Sequence, residues 1–262
     1  MILVSSRIFV IAFCFSFLNC QDKKVDSQVS QKSTTEQSTV TTETVSDGQT
    51  GTLSGRVIYD GEPPTPQKLL VVKDVAVCGK QTHFDESLVV GRQHGIPNAV
   101  VHLTGVVGGQ FRAALGSRFI LDQKGCAYRP HVLLVPVDSM LQILNSDGIL
   151  HNIHTFSTVN PPVNVAQPRF KKQLNMVFHQ PEKISVKCDV HGWMSAWIVA
   201  VDQPYYAITD REGRFTLSQI PPGTYTVTCW QERLGEQTAQ VTITTGGSAT
   251  LDFHYPSKEK DH

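Results

Sequence analysis

Apolar and polar side chains alternate along most of the chain from position 52 onward. The alternation is clearest at 53–59, 99–103, 225–229 and 239–243, with Gly, Pro and Asp residues between the runs. A period of two predicts strands that bury one face, and many short strands separated by turns predict a sandwich or barrel. No stretch carries the 3.6-residue apolar repeat of an amphipathic helix, so we predict an all-β fold.

The first residues follow a different pattern, an uninterrupted apolar run at 8–18 preceded by Arg7. This run is shorter than the ~20 residues that a membrane-spanning helix needs, and it is typical of a secretory signal peptide. We therefore predict a signal peptide at 1–19. Cys20 follows it and resembles the lipid acceptor of bacterial lipoproteins. The alternative is an ordinary signal peptide that happens to contain Cys20.

The next stretch, 21–50, consists mainly of Gln, Ser, Thr, Asp, Glu and Lys, and it contains no aromatic residue, Leu or Ile. Such a composition cannot bury enough apolar surface to offset the entropy lost on ordering. We predict that 20–50 comprises the lipidated Cys20 and a disordered tether. The lipid would anchor the protein to a membrane of the cell envelope, facing the periplasm or the cell surface.

Charge and cysteine content narrow the range of functions. The chain has 23 Lys and Arg against 23 Asp and Glu, so its formal net charge is zero. This balance argues against a nucleic-acid partner, because such proteins usually carry a basic excess. Six Cys residues are too few for a disulfide scaffold of this length, so each one needs its own explanation.

The densest cluster of metal-binding side chains lies at 187–194, where Cys188, His191 and Met194 follow a predicted strand. Upstream, His151 comes directly after a polar turn. One thiolate and two imidazoles with a weak axial thioether form the blue-copper electron-transfer site. Two alternatives stay open at this point: Cys188 is a buried core thiol with structural histidines, or the same ligands bind zinc.

These residues also resemble the cupredoxins. Cys-x2-His-x2-Met after a strand, with His-Asn-x-His upstream, is similar to the short-loop pattern of amicyanin. The resemblance covers about 118–202 and places a cupredoxin domain at 116–203. It implies one mononuclear copper site with four ligands: His151, Cys188, His191 and Met194. It further implies that Asn152 supports the ligand loops by hydrogen bonding to the turn at Asp189.

The remaining cysteines and histidines have several interpretations. With Cys14 in the signal peptide, Cys78 and Cys126 form a candidate disulfide, and Cys229 lies on an inward face as a predicted core thiol. Alternatively, Cys126 and His131 contribute to a second metal site. His154 falls on the opposite strand face from His151 and is predicted to lie at the surface.

Segments on both sides of the predicted copper domain resemble a second family. The stretches 51–57 and 97–103 are similar to the opening strands of carboxypeptidase-regulatory-like, or transthyretin-like, domains. The stretches 207–217 and 220–225 are similar to the continuation of the same domain. They contain Thr-Asp-x-x-Gly-x-Phe, predicted as a hairpin turn at 210–213, and then Pro-Pro-Gly-x-Tyr.

This second resemblance implies a β-sandwich formed by 51–115 plus 204–256, with the cupredoxin domain inserted into it. The alternative is two domains in tandem, with 51–115 belonging to the cupredoxin. The combination also resembles bacterial methylamine-utilisation-like proteins. Related chains often carry His where this chain has Gln203 and Gln231.

Taken together, these features predict an envelope-anchored copper protein that carries single electrons to or from a redox partner protein. Two alternatives come from other classes: a copper chaperone or store, and a non-redox scaffold or adhesion module. We do not expect an enzyme, because four protein ligands would close the metal and leave no position for a substrate.

Overall fold

The computed structural model describes residues 49–106 and 117–257. The predicted signal peptide, Cys20 and almost all of the predicted tether lie outside the described residues. Within the described ranges, no helix has both the length and the apolar character needed to cross a membrane.

The fold is all-β, as predicted. The two short helical segments among the described residues are a single α-turn, α1 (Val75–Cys78), and a 3-10 turn (Arg92–His94). The strands before residue 180 are β1 (Gly51–Asp60), β2 (Lys68–Leu69), β3 (His83–Phe84), β4 (Val100–Thr104), β5 (Phe119–Gln123), β6 (Tyr128–Arg129), β7 (Val132–Pro136), β8 (Leu141–Asn145), β9 (His151–Phe156), β10 (Asn164–Gln167) and β11 (Gln173–Met176). The later strands are β12 (Glu182–Lys187), β13 (Ser195–Val201), β14 (Tyr206–Ile208), β15 (Arg214–Ile220), β16 (Gly223–Gln231), β17 (Gly235–Ile243), β18 (Ser248–Thr250) and β19 (Phe253–Pro256).

The first and last parts of the chain pair with each other. One sheet has the order β15-β1-β18, with β19 also pairing to β1, and a second sheet has the order β14-β4-β16-β17. Alternate residues of β1, including Leu53 and Val57, are buried in one core with Val101 and Val227 of the second sheet. The predicted alternation therefore buries the expected face, because one side of each strand meets the opposite sheet.

The middle of the chain forms two further sheets. Their orders are β10-β9-β12-β13-β7 and β11-β8-β5-β6, with parallel pairs between β7 and β13 and between β5 and β8. Their shared core contains Ile143, Ile153, Ile184 and Ile198, each fully buried. β12 and β13 form an antiparallel hairpin in which Val186 pairs with Ala196, and this hairpin carries the 188–194 loop at its end.

The turn at 210–213 forms, but it does not close a hairpin. Gly213 has φ 75° and Asp210 accepts hydrogen bonds from the backbone N–H groups of Glu212 and Arg214. However, β14 on one side pairs with β4, and β15 on the other pairs with β1. The turn therefore connects β14 in one sheet to β15 in another. A side chain at Gly213 would also meet the Val57 carbonyl, with Cβ 2.4 Å from its oxygen.

One segment of the predicted flanking region packs elsewhere. The sequence pattern predicted that all of 51–115 belongs with the flanking strands. In the structure, Val71 and Val77 pack against the core of the middle sheets, and Cys78 belongs to that core together with Cys188 and Met194. Local strand patterns do not reveal this contact, because the segment has almost no regular structure of its own.

The flanking and middle sheets also meet through side chains. A smaller cluster joins Val100 and Trp230 of the flanking sheets to Val132, Val199 and Val201 of the middle ones. The rings of Trp197 and Trp230 meet edge to face, with centroids 4.8 Å apart. Because of this cluster, β13 is buried on both faces along its second half.

His102 on β4 is a half-buried histidine held in its neutral form. Its ring stacks on Tyr206 with centroids 4.6 Å apart, and within the described part of the chain its Nδ1 is buried without a hydrogen-bond partner. Burial, followed by repulsion from Lys183, lowers the pKa of His102 from 6.5 to about 4. Between about pH 4 and pH 6.5, His102 is therefore protonated in the unfolded chain and neutral in the folded protein.

We expect His102 to make the protein less stable in acid. The neutral His102 stabilises the folded protein fully above pH 6.5, and this stabilisation is lost as the pH falls toward about 4. The free energy of unfolding should decrease by at most about 3 kcal/mol over this interval. His102→Phe keeps a stacking ring without titrating, so its stability should decline less over this interval. Urea unfolding of both proteins between these pH values tests this, and parallel stability curves would contradict it.

Candidate metal centre

Three of the predicted ligands converge at one end of the middle sheets. A nitrogen of His151, the sulfur of Cys188 and a nitrogen of His191 all lie within 4.8 Å of one another. All three side chains are buried. His151 is the first residue of β9, Cys188 directly follows β12, and His191 lies in the loop that leads to β13.

The two imidazoles present the same nitrogen to the centre of the site. His151 Nδ1 lies 2.9 Å from His191 Nδ1, and Cys188 Sγ lies 3.9 Å from His191 Nδ1. The outer nitrogens contact carboxylates: His151 Nε2 is 2.9 Å from Asp147, and His191 Nε2 is 2.8 Å from Asp74. A carboxylate only accepts, so each Nε2 carries a proton, and the inward Nδ1 is the nitrogen that each ring can offer to a metal.

Asp147 fixes the first imidazole. Its carboxylate accepts hydrogen bonds from the backbone N–H groups of Gly125 (2.5 Å) and Cys126 (2.8 Å) as well as from His151. Burial alone would raise the pKa of Asp147, but these hydrogen bonds lower it below 3.8. The carboxylate therefore stays ionised and holds the orientation of the His151 ring.

The protonation states of Cys188 and His191 suit a metal. Burial alone would raise the pKa of Cys188, but hydrogen bonding from His151 and from backbone N–H groups brings it below its ordinary 9.0. Burial lowers the pKa of His191, and the adjacent His151 lowers it further. A thiolate and a neutral imidazole are the forms that bind metal ions. Burial alone would lower the pKa of His151, but hydrogen bonding to Asp147 and to Cys188 raises it, so a bound metal would replace the inward Nδ1 proton of that ring.

Asn152 lies where the resemblance placed it, between the two ligand loops. Its Oδ1 accepts from the backbone N–H groups of Asp189 (2.7 Å) and Val190 (3.3 Å). Its Nδ2 donates to the carboxylate of Asp189 (3.0 Å) and to the Asn164 side chain (2.9 Å). This one side chain therefore ties β9 to the Cys188 loop and fixes the spacing between His151 and Cys188.

We expect Asn152→Ala to loosen the site without removing a ligand. It leaves two backbone N–H groups of the Cys188 loop without their acceptor, at a cost of about 1–3 kcal/mol in the free energy of unfolding. Metal affinity should fall by about 10- to 100-fold, the usual effect of losing such a support. Urea unfolding and copper competition titrations measure the two effects. An Asn152→Ala protein with unchanged affinity would show that the amide does not organise the loops.

Met194 closes the ligand loop. Its side chain is buried in the same cluster as Cys188. Its backbone N–H donates to the His191 carbonyl (2.9 Å), and its own carbonyl accepts from the Cys188 N–H (3.3 Å). The loop is thus a hydrogen-bonded turn that returns the chain directly into β13, and Met194 is positioned at the base of that turn.

His154 lies on the other face of β9. Its ring is partly exposed and stacks on Phe156 with centroids 4.2 Å apart. Its Nδ1 lies 2.9 Å from the Asp189 carboxylate. His154 therefore supports the loop from outside and does not join His151 in the metal cluster.

The second candidate metal site does not form. Cys126 is joined to Cys78 by a disulfide with a sulfur–sulfur distance of 2.05 Å, so it offers no thiolate. The side chains of Cys126, Asp147 and His151 approach one another, but this disulfide removes the sulfur as a ligand. His131 is buried and binds the Glu232 carboxylate, which also accepts from Trp197 Nε1.

Three further residues have simple structural roles. Cys229 is a free buried thiol whose pKa is raised to about 12 by burial. Gln203 spans from the Leu103 carbonyl to the Tyr205 N–H. Gln231 similarly donates to the Ser87 carbonyl and accepts from backbone N–H groups of the following turn.

Sequence reasoning missed both carboxylates behind the imidazoles. Asp147 had a detectable signal, because it stands in the polar turn just before His151. Asp74 had none, because it reaches His191 across 117 positions of the chain. Only the tertiary packing of the segment around α1 brings it to the site.

One family model matches part of the chain. The family model of the carboxypeptidase regulatory-like domain matches residues 195–256, which run from the start of β13 to the end of β19. No curated protein sequence matches the chain.

Solved copper proteins show a weak likeness to part of the chain. A copper-containing nitrite reductase from Thermus scotoductus SA-01 has a TM-score of 0.30 and 18% identity, and the match covers 32% of this chain and 22% of that one. An oxidised mutant of amicyanin has a TM-score of 0.29 and 17% identity, over 38% of this chain and 98% of that one. A purple cupredoxin from Nitrosopumilus maritimus has a TM-score of 0.27 and 17% identity, over 32% and 99%.

Proposed function

We propose that this protein carries single electrons through one mononuclear type 1 copper site, held by His151, Cys188, His191 and Met194. The observation that carries the proposal is the buried convergence of one thiol and two inward-facing Nδ1 atoms within 4.8 Å. The donor set fits copper: thiolate and thioether favour Cu(I), and imidazole accommodates Cu(II). Bound copper would supply the one-electron chemistry.

The chain's own contribution is to hold these ligands in one arrangement for both oxidation states. The carboxylates of Asp147 and Asp74 fix the two rings, and Asn152 fixes the loop that carries Cys188. Because these groups are already hydrogen-bonded, they have little freedom to rearrange when the charge of the site changes. A buried site also excludes water that would reorient with each transfer.

The surroundings of the site support a carrier rather than an enzyme. All four proposed ligands are at most 1% exposed. A catalytic metal usually keeps one position open for substrate or water. With four protein ligands sealed from solvent, electrons can enter and leave but a substrate cannot reach the metal.

The other parts of the chain would determine where in the cell this carrier is located. We propose that the middle sheets are a copper domain inserted into the carboxypeptidase-regulatory-like sandwich, since β1 and β4 pair with strands that follow residue 205. We further propose that Cys20 carries a lipid and that the polar segment after it is a tether. The protein would then exchange electrons with a partner protein of the cell envelope.

Redox cycling of the copper-loaded protein separates this function from copper handling. We expect repeated reduction with ascorbate and reoxidation with ferricyanide to leave one copper bound per chain. A carrier should also retain Cu(I) against a moderate excess of a bathocuproine chelator. Rapid loss of copper to the chelator would favour a chaperone or store. A chain that binds only zinc, or no metal, would favour a scaffold.

A further inference from the structure

The outer edge of His191 is covered by a distant part of the chain. His191 Nε2 lies 2.8 Å from the Asp74 carboxylate, and the imidazole is fully buried although that carboxylate is 38% exposed. Asp74 therefore stands between this ligand and solvent. It comes from the segment before β3, well outside the elements that carry the four ligands.

Several contacts hold this segment in place, and we name residues 71–78 the closing turn. Val71 and Val77 pack on the core of the copper domain. The backbone N–H groups of Val77 and Cys78 both donate to the Asp74 carbonyl, each at 2.9 Å. Asp74 itself has φ 49° and ψ 39°, a left-handed conformation that costs a non-glycine residue energy and persists where the surroundings impose it.

The closing turn is also bonded covalently to the support of the other imidazole. Cys78 forms the disulfide with Cys126, and the backbone N–H of Cys126 donates to Asp147, the carboxylate that holds His151. The Cys126 carbonyl accepts from Trp193 Nε1 at 3.1 Å, next to His191 in the ligand loop. The carboxylates behind both imidazoles are thus linked through one disulfide.

We infer that Asp74 is a positioning residue for the metal ligand His191, and that the closing turn seals the outer edge of this ligand. This inference rests on the proposed copper site. By accepting the Nε2 proton, Asp74 selects the tautomer whose Nδ1 lone pair faces Cys188 and His151. It also sets the ring orientation and adds a negative charge beside the metal, which stabilises the more positive oxidation state.

Two variants separate positioning from charge. Asp74→Asn keeps an oxygen that can accept from Nε2 but removes the charge, whereas Asp74→Ala removes both. In the metal-free protein, nitrogen-15 NMR should show His191 protonated at Nε2 in the wild type and in Asp74→Asn. In Asp74→Ala the tautomers should mix, and the Nε2 proton should exchange with water at least about tenfold faster.

The copper-loaded proteins give a second measurement. Transfer of copper to a chelator should accelerate by about 10- to 100-fold in Asp74→Ala, and less in Asp74→Asn. The reduction potential should rise in both variants, because both lose the charge. Asp138→Asn is the matched control, since Asp138 also pairs with a histidine, His179, but at an exposed position beyond the opposite end of β8. It should change neither measurement.

The outcomes distinguish the two proposals. If His191 in Asp74→Ala keeps the wild-type tautomer and proton exchange rate, Asp74 does not position it and the inference is wrong. If Asp74→Asn behaves as Asp74→Ala in the NMR experiment, the hydrogen bond is not what selects the tautomer, and the inference is also wrong. If the NMR results are as expected but the wild type binds no copper, the proposed function fails while the positioning of His191 by Asp74 stands.

Discussion

Replacing Cys78 and Cys126 together by alanine should lower the free energy of unfolding by about 4 kcal/mol. The disulfide closes a loop of 48 residues, and the entropy that such a crosslink removes from the unfolded chain corresponds to about 4 kcal/mol at 25 °C. The bond also fastens the closing turn to the middle sheets. Urea unfolding of the oxidised wild type and the double variant measures the difference directly.

Chemical reduction provides an independent check on the disulfide. Treating the folded wild type with a phosphine reductant should lower its stability toward that of the double variant, and should have no further effect on the variant. Cys229→Ala is a suitable control, because Cys229 is a free buried thiol and its loss should not alter the response to reductant. Equal stability of the oxidised wild type and the double variant would contradict this account.

Cys188→Ser should have the largest effect on the metal site. The thiolate is the softest and most strongly bound ligand of the proposed set, and serine at this position would not ionise to replace it. We expect copper affinity to fall by more than about 100-fold, since losing even an outer support costs about 10- to 100-fold. The intense absorption from thiolate-to-copper charge transfer should disappear completely.

Cys229→Ala is the matched control for this experiment as well. Both thiols are buried and unpaired in the described part of the chain, but Cys229 lies in the core of the flanking sheets. Its replacement should leave the absorption and the copper stoichiometry intact. If Cys188→Ser kept the charge-transfer absorption, or if Cys229→Ala lost it, the ligand assignment would be wrong.

Local patterns in the sequence were enough to predict several of the strands and their buried faces. In β1, Leu53, Val57 and Tyr59 are buried at the positions that the alternation assigns to the core. In β12, Ile184 and Val186 face inward and direct Cys188 into the same core. Period-two burial is a local property of a strand against one opposing layer, so no tertiary information was needed to see it.

Features that depend on packing between distant elements could not be predicted. The alternation in β13 predicts one buried face, but the strand is buried on both because Val100 and Trp230 cover its second side. The turn at 210–213 has the residues of a hairpin, yet its strands go to different sheets. Turn chemistry fixes the local backbone, whereas the pairing of the flanking strands depends on the whole sandwich.

The candidate metal centre likewise combines features that the local sequence predicts with one that depends on tertiary packing. The ligand spacing of Cys188, His191 and Met194 in one loop is visible in the sequence, and so is His151 after its turn. Asp74 leaves no such pattern, because its role depends on a contact made across 117 positions. The proposed ligands are therefore visible in the sequence, and the carboxylate that covers one of them is not.

The central claim is tested most directly by the absorption spectrum and metal count of the wild-type protein after reconstitution with Cu(II). We expect one copper per chain and an intense visible band from thiolate-to-copper charge transfer. A colourless protein that retains no copper under these conditions would contradict it.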